Sequence, residues 1–263
     1  MTLLAASMGV GRLSVGPNGT RGMNMIKVIR GVVGTATMFA LLFSAPVALA
    51  ATGPSPAALS ESVKAELRAS MDELEISQPV QEVLILKIAS GETLDSDSPT
   101  AKPVSVTTRS SAGSFVTITS RYGDGSASRS EVEVPVAISP GSVTPLSVTG
   151  CTSTFGSGYA NRSNCFVEHR TVSVLANFRA NYTLVQGGYD QITKAWDWGL
   201  QVIGGTYSNV SLKISQAKES SGGPAYATLL FDQTMTLDLA KRRVWMRLYV
   251  GGDSAWTGMS TKL

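Results

Sequence analysis

Residues 171–185 read Thr171-Val-Ser-Val-Leu-Ala-Asn-Phe-Arg-Ala-Asn-Tyr-Thr-Leu-Val185, and their period decides the fold class. Val172, Val174, Phe178, Tyr182 and Leu184 take alternate positions, while Ser173, Asn177, Arg179 and Asn181 stand between them. A period of two is that of a strand with one buried and one wetted face, and no helical spacing satisfies it.

Working outward, Gly187-Gly188 ends this strand; Ile192, Trp196, Trp198, Leu200 and Val202 then share one face, as do Val210, Leu212 and Ile214. Two tryptophans on one strand face are expected in the core. A turn at Gly222-Gly223-Pro224 leads to a final pair, 225–237 and 243–250, joined through Asp238 to Arg242. Upstream, SFVTITSRY (114–122) and SEVEVPVAI (130–138) flank Gly123-Asp124-Gly125, a hairpin signal, with VSVTT (104–108) before them. Short period-two runs without repeats imply an all-β protein, an antiparallel β-sandwich or jelly-roll-like domain. Residues 101–139 are expected as a β-meander and 150–263 as the main sandwich domain, with Pro140, Gly141 and Pro145 between them.

Residues 51–100 follow another rule. After a small-residue linker, Leu59, Val63, Leu67, Met71 and Leu74 recur at three- and four-residue spacing, an amphipathic helix whose start is marked by Pro56 and Ser60. Val80 to Ile88 (VQEVLILKI) reads as a buried strand, and 91–103 as a loop. This segment holds nine acids against three bases, whereas 101–263 holds ten acids against fifteen. The acidic helix is therefore expected to dock on the basic β-domain, either as a pro-segment or as permanent packing.

Residues 1–50 have the form of a leader. Lys27 and Arg30 precede the apolar run 31–43, and Ala48-Leu49-Ala50 is a small-x-small cleavage site before Ala51. Met23 or Met25 would start a more compact signal peptide than Met1. Cleavage between Ala50 and Ala51 leaves no membrane span, and the expected location is extracellular. The leader carries four bases and no acid, so the net charge of +3 becomes −1 for the remainder, which gives no reason to expect nucleic acid as a partner.

Cys151 and Cys165 are the only cysteines. In an oxidising compartment they are expected to form a disulfide, stapling a Gly-, Ser- and Asn-rich loop at about 3 kcal/mol. With no second cysteine pair or histidine cluster, no metal site and no cofactor are expected. Asp95 and Asp97 lack the glycine and terminal glutamate of a calcium loop.

Gly252-Asp253-Ser254 copies the start of a secreted serine protease motif, and His169, Asp190 or Asp197, and Ser254 follow the chain order of the chymotrypsin-like triad. Ala255-Trp256 stands where an oxyanion loop needs glycine, and nine residues after Ser254 are too few to finish that fold. Gly251 to Ser254 are turn formers. His169, the only histidine, is expected at a strand edge or surface. A carboxylate pair drawn from Glu168, Asp190, Asp197 and Asp232 cannot be assigned from spacing.

The final strand of this reading is more informative. Along 243–250, Val244, Met246, Leu248 and Val250 alternate with Arg243, Trp245, Arg247 and Tyr249. With the aliphatic face in the core, the other face presents rings and guanidinium groups, suited to sugar rings or anionic polymers. Trp256 either covers the sheet edge or extends this face.

RYGDGS (121–126) followed by SEVEVPVA, the cysteine pair, and the GGYDQI, GGTYSNVSLKI and VGGDSAWT segments together resemble short secreted proteins of high-GC Gram-positive bacteria. The resemblance implies secretion and a β-fold and brings no catalytic residues. The leading expectation is a non-enzymatic secreted protein that binds a cell-wall polymer, another glycan or a protein partner through Arg243, Trp245, Arg247, Tyr249 and Trp256. A secreted hydrolase using His169 or a carboxylate pair, or a toxin or inhibitor, are the alternatives.

Overall fold

The computed structural model describes residues 58–110, 115–138, 150–236 and 241–262. The leader and the Ala50/Ala51 cleavage site lie outside these residues.

Two helices come first, α1 (Glu61–Glu73) and α2 (Gln78–Ala89), then a single 3-10 turn at Asp95–Asp97. Twelve strands follow: β1 (Ser105–Ser110), β2 (Phe115–Arg121), β3 (Ala127–Glu133), β4 (Val136–Ala137), β5 (Thr152–Gly156), β6 (Tyr159–Arg170), β7 (Val174–Val185), β8 (Gln191–Val202), β9 (Gly205–Gln216), β10 (Ala225–Met235), β11 (Lys241–Gly251) and β12 (Ser254–Lys262). They form two packed, mostly antiparallel sheets, a β-sandwich behind two helices.

Strand β6 is the axis of the first sheet. One of its edges pairs with β7, which pairs with β8. The other edge is shared: β3 takes the C-terminal part, Val132 opposite Val167, and β5 the N-terminal part, Thr152 opposite Ser163. The β1–β2–β3 meander thus belongs to the same sheet as β6 to β8. The second sheet is the plain meander β9–β10–β11–β12. The chain passes between the sheets at Ile203-Gly204, and residues just past β9 return to the start of β8, with Ile192 N–H donating to the Ala217 carbonyl at 2.8 Å.

The period-two faces become the core. Val174, Ala176, Phe178, Ala180 and Tyr182 of β7 pack with Ala225, Ala227, Leu229 and Phe231 of β10 and with Val244, Met246, Leu248 and Val250 of β11. Full burial of each large member, such as Phe178 or Phe231, contributes about 1.5–3 kcal/mol. Cys151 and Cys165 lie at disulfide distance. They close the open end of the β5–β6 hairpin, so the segment expected as a loop is a pair of strands turning at Ser157-Gly158.

Helix α1 begins where the sequence places it, with the Ser60 side chain accepting the Val63 N–H. Val80 to Ile88 corrects the expectation of a buried strand: Ser77 and Pro79 open a helix there. Leu84, Ile85 and Ile88 are buried while Val83 and Leu86 face solvent, a helical periodicity hidden inside an almost wholly apolar run. These residues join Leu67, Met71, Leu74 and Leu94 in a second core that rests on Ala127, Val172 and Ile203 of the β-region.

The charges meet as the composition predicts. Glu73 accepts from Arg170 at 2.8 Å and lies 3.9 Å from Arg129, while Glu75 lies 3.7 Å from Arg121 and 3.6 Å from Arg109. A cross-link of the opposite sense runs from Lys87 to Asp124 in the β2–β3 turn, at 2.9 Å. Burial opposes the Asp124 charge, yet N–H donation from Asp95, the Ser126 hydroxyl and Lys87 bring its pKa down to about 2. Gly125 is required there: its φ is +86°, and a Cβ would meet Val80 Cγ1 at 2.5 Å.

Candidate functional site

The outer face of the second sheet is set by the same alternation that fills the core. Because β11 buries Val244, Met246, Leu248 and Val250, its other residues point away from the first sheet. Strand register then arranges them in rows. Tyr226, Tyr249 and Trp256 stand side by side across β10, β11 and β12. The next row is Lys213, Thr228, Arg247 and Gly258, and the one beyond it Ser211, Leu230, Trp245 and Ser260.

These side chains interlock. The Tyr249 and Trp256 rings stack with centroids 5.6 Å apart and planes inclined by 15°, and Tyr226 lies 5.9 Å from Tyr249. The Arg247 guanidinium is held between two rings, 4.3 Å from the Trp245 centroid and 4.6 Å from that of Tyr226. Its Nε donates to Thr228 Oγ1 at 3.2 Å, and Thr228 also bonds Ser215. Trp256 remains 36% exposed, and Trp245 and Tyr249 are half-buried.

The five residues singled out by sequence thus share one face with unequal roles. Trp256 extends the aromatic row through β12, a strand the sequence reading does not contain. Arg243 is bridged to Asp232 at 3.0 Å, and Asp232 also accepts from Asn209, so Arg243 fastens strands together. Arg247 meets no carboxylate among the described residues. Tyr226, Lys213 and Gly258 belong to the face but are missed by the sequence reading; for Tyr226 the signal is the Ala-Tyr-Ala alternation that opens β10.

Gly252-Asp253-Ser254 is a hairpin turn. Gly252 and Asp253 both have positive φ, 57° and 60°, the signature of a two-residue type I′ connection between β11 and β12. Ser254 Oγ donates to the Gly251 carbonyl at 3.0 Å, and the Asp253 N–H donates to Asp190 Oδ2 at 2.9 Å. The serine is a turn former and Asp190 its anchor.

His169 corrects its expected place. It continues the inward alternation of Cys165 and Val167 and is buried at 7% exposure, with Ser130 Oγ 2.8 Å from its Nδ1. Burial lowers its pKa to about 4, so it is neutral at pH 7. It lines a crevice of about 270 Å³ with Ser96, Asp97, Tyr122, Trp245 and Ser260. A general base works best with a pKa near the operating pH, and no carboxylate bonds this imidazole among the described residues.

The four acids do not form a catalytic pair by their contacts. Glu168 is paired with Arg170, Asp197 faces Arg179, Asp190 accepts the Val185 and Asp253 N–H groups, and Asp232 holds Arg243. Trp196 and Trp198 also correct their expected place. A bulge at Asp197, φ 55°, leaves Ala195 and Leu200 on the core side; Trp196 carries Lys194 over its ring at 4.7 Å, and Trp198 is 43% exposed. Among the described residues, no three His, Cys, Asp or Glu side chains gather as a metal ion would need, and no helix is long and apolar enough to cross a membrane. No family model, no curated protein and no solved structure matches this chain.

Proposed function

We propose that this is a secreted bacterial protein that binds a surface polysaccharide through the outer face of the second sheet. One observation carries the reading: Tyr226, Tyr249 and Trp256 form a continuous aromatic row, with the Tyr249 and Trp256 rings nearly parallel and Trp256 open to solvent. A row of packed rings fixed on a rigid sheet offers apolar area at little entropic cost, which suits the C–H surfaces of sugar rings. Neighbouring hydroxyl and guanidinium groups supply the hydrogen bonds that orient them.

Retention of the protein on a panel of soluble and insoluble polysaccharides tests this. Trp256→Ala and Tyr249→Ala are expected to weaken binding to a retained polymer roughly tenfold, the equivalent of about 1.4 kcal/mol. Both residues lie on the outer face, so the fold is expected to survive. Retention that both variants leave unchanged, or the absence of any retained polysaccharide, sinks the reading.

A further inference from the structure

We propose that the polymer is an acidic polysaccharide, a chain of uronic acid residues whose carboxylates lie over Arg247 while their rings pack against the Tyr249–Trp256 pair. The inference rests on the polysaccharide reading above and adds the charge of the ligand.

The rows of the sheet alternate in chemistry. Between the aromatic row at Tyr226, Tyr249 and Trp256 and the row at Leu230 and Trp245 runs a row containing Lys213 and Arg247. None of these three rows contains an acid. The acids that flank them are Asp232, engaged by Arg243, and, at the turn beyond Trp256, Asp253 and Glu219, the latter accepting the Gly252 N–H. Around the β3–β6 pair, by contrast, Arg121, Arg129 and Arg170 each face a carboxylate.

Arg247 is held as a receptor group. Two rings clamp its plane and Thr228 takes its Nε–H, so the head is fixed before any ligand arrives. Its remaining N–H donors meet no acceptor among the described residues, and a guanidinium presented this way matches a carboxylate through two parallel hydrogen bonds. The position beside it on β12 is Gly258, which leaves the floor open between Trp256 and Ser260. No backbone strain calls for glycine there, and an added Cβ would come no closer than 3.7 Å to Tyr249.

Spacing selects the uronate. Residues two apart on a strand face lie about 7 Å from each other, so a ring on Tyr249 has the Arg247 head in the adjoining row. A uronic acid carries its carboxylate directly on the sugar ring, which brings ring and anion into neighbouring rows. Single-stranded nucleic acid needs a continuous line of cations tracking its backbone, whereas on this face Lys213 and Arg247 share one row and Lys241 stands six residues from Arg247 along β11, with Arg243 between them already paired.

The test compares polygalacturonate, the same polymer with its carboxyl groups reduced to alcohols, and oligo(dT). The wild-type protein is expected to bind polygalacturonate about tenfold more tightly than the reduced polymer at low salt, a preference that shrinks as salt rises. Arg247→Gln is expected to erase the preference, bringing binding of polygalacturonate down to that of the reduced polymer. Gly258→Thr, which fills the floor, is expected to weaken both polymers at an unchanged melting temperature. If Arg247→Gln lowers the melting temperature, Lys213→Gln, at an exposed residue that meets no carboxylate among the described residues, carries the same test and is expected to reduce the preference in part.

Equal binding of the two polymers, or a preference that neither Arg247→Gln nor Lys213→Gln reduces, overturns the acidic ligand and leaves the polysaccharide reading standing. Binding of neither polymer overturns the acidic ligand, and overturns the polysaccharide reading as well when no member of the wider panel is retained. Tighter binding of oligo(dT) than of polygalacturonate replaces both with a nucleic-acid partner.

Discussion

Two groups of arginines divide this molecule. Arg121, Arg129 and Arg170 lie where the first sheet meets the helices, and Glu73 and Glu75 cover them. Arg247 lies on the outer face of the second sheet, where rings and a hydroxyl hold it and no described carboxylate does. At the first place charge fastens one part of the chain to another; at the second it is fixed in position and left for solvent. A basic excess counted along 101–263 does not distinguish the two. Only the fold shows that acids from 51–100 neutralise part of it, and where the rest remains available.

The largest effect is expected on the fastened side. Leu84 is fully buried in the helical core, and Leu84→Ala is expected to cost about 2–5 kcal/mol in urea unfolding. A loss below about 1 kcal/mol would mean that the helices rest loosely on the sheet. The contrast would then break, because the acidic cover would be detachable, as a pro-segment is.

The next effect lies at His169, beside the crevice shared by Asp97 and Trp245. Its pKa of about 4 in the folded chain lies below the ordinary 6.5 because burial disfavours the imidazolium. Below pH 6.5 the unfolded chain takes up a proton that the native chain refuses until about pH 4. Stability is therefore full above pH 6.5 and falls as the pH drops through this window, by about 3 kcal/mol. Asp97 works in the opposite sense: burial raises its carboxyl pKa, so the native chain regains that proton first on acidification. The difference between wild type and His169→Gln isolates the histidine. A difference that stays constant from pH 7 to about pH 4.5 would show that His169 charges freely and is not enclosed.

Much of this contrast was legible in the chain. The period of two along 171–185 and 243–250, the hairpin signal at 123–125, the turn at 222–224, and Ser60 as a cap all rest on local chemistry and reappear in the structure. The acid–base complementarity of the two segments was likewise visible as composition. What escaped depends on one residue or on partners far along the chain. VQEVLILKI is apolar on nearly every side, so its helical face shows only once Leu84 and Ile88 have the sheet beneath them. One bulge residue, Asp197, shifts the alternation so that Ala195 and not Trp196 faces the core, while Trp198 stays 43% exposed. Strand β12, SAWTGMSTK, is poor in β-branched residues and owes its place to pairing with β11. The aromatic row needs that register, because Tyr226, Tyr249 and Trp256 come from three different strands.

The smallest effects sharpen the contrast most directly. Glu73→Gln removes a half-exposed carboxylate from two arginines, of which Arg170 is only 14% exposed, and is expected to cost about 1 kcal/mol. Arg247→Gln gives up a stack between two rings and a guanidinium hydrogen bond to a neutral hydroxyl, part of which the Gln amide keeps, and is expected to cost about 0.5–1 kcal/mol, since no buried charge is left unpaired. Salt separates the two where magnitude alone would not. Added salt screens the Glu73 pairs, so the Glu73→Gln deficit narrows as ionic strength rises, whereas contact between a guanidinium and two rings responds far less. A salt-sensitive deficit in Arg247→Gln would reveal a carboxylate partner for that arginine within the chain. The outer face would then be another fastening, and its charge would already be answered.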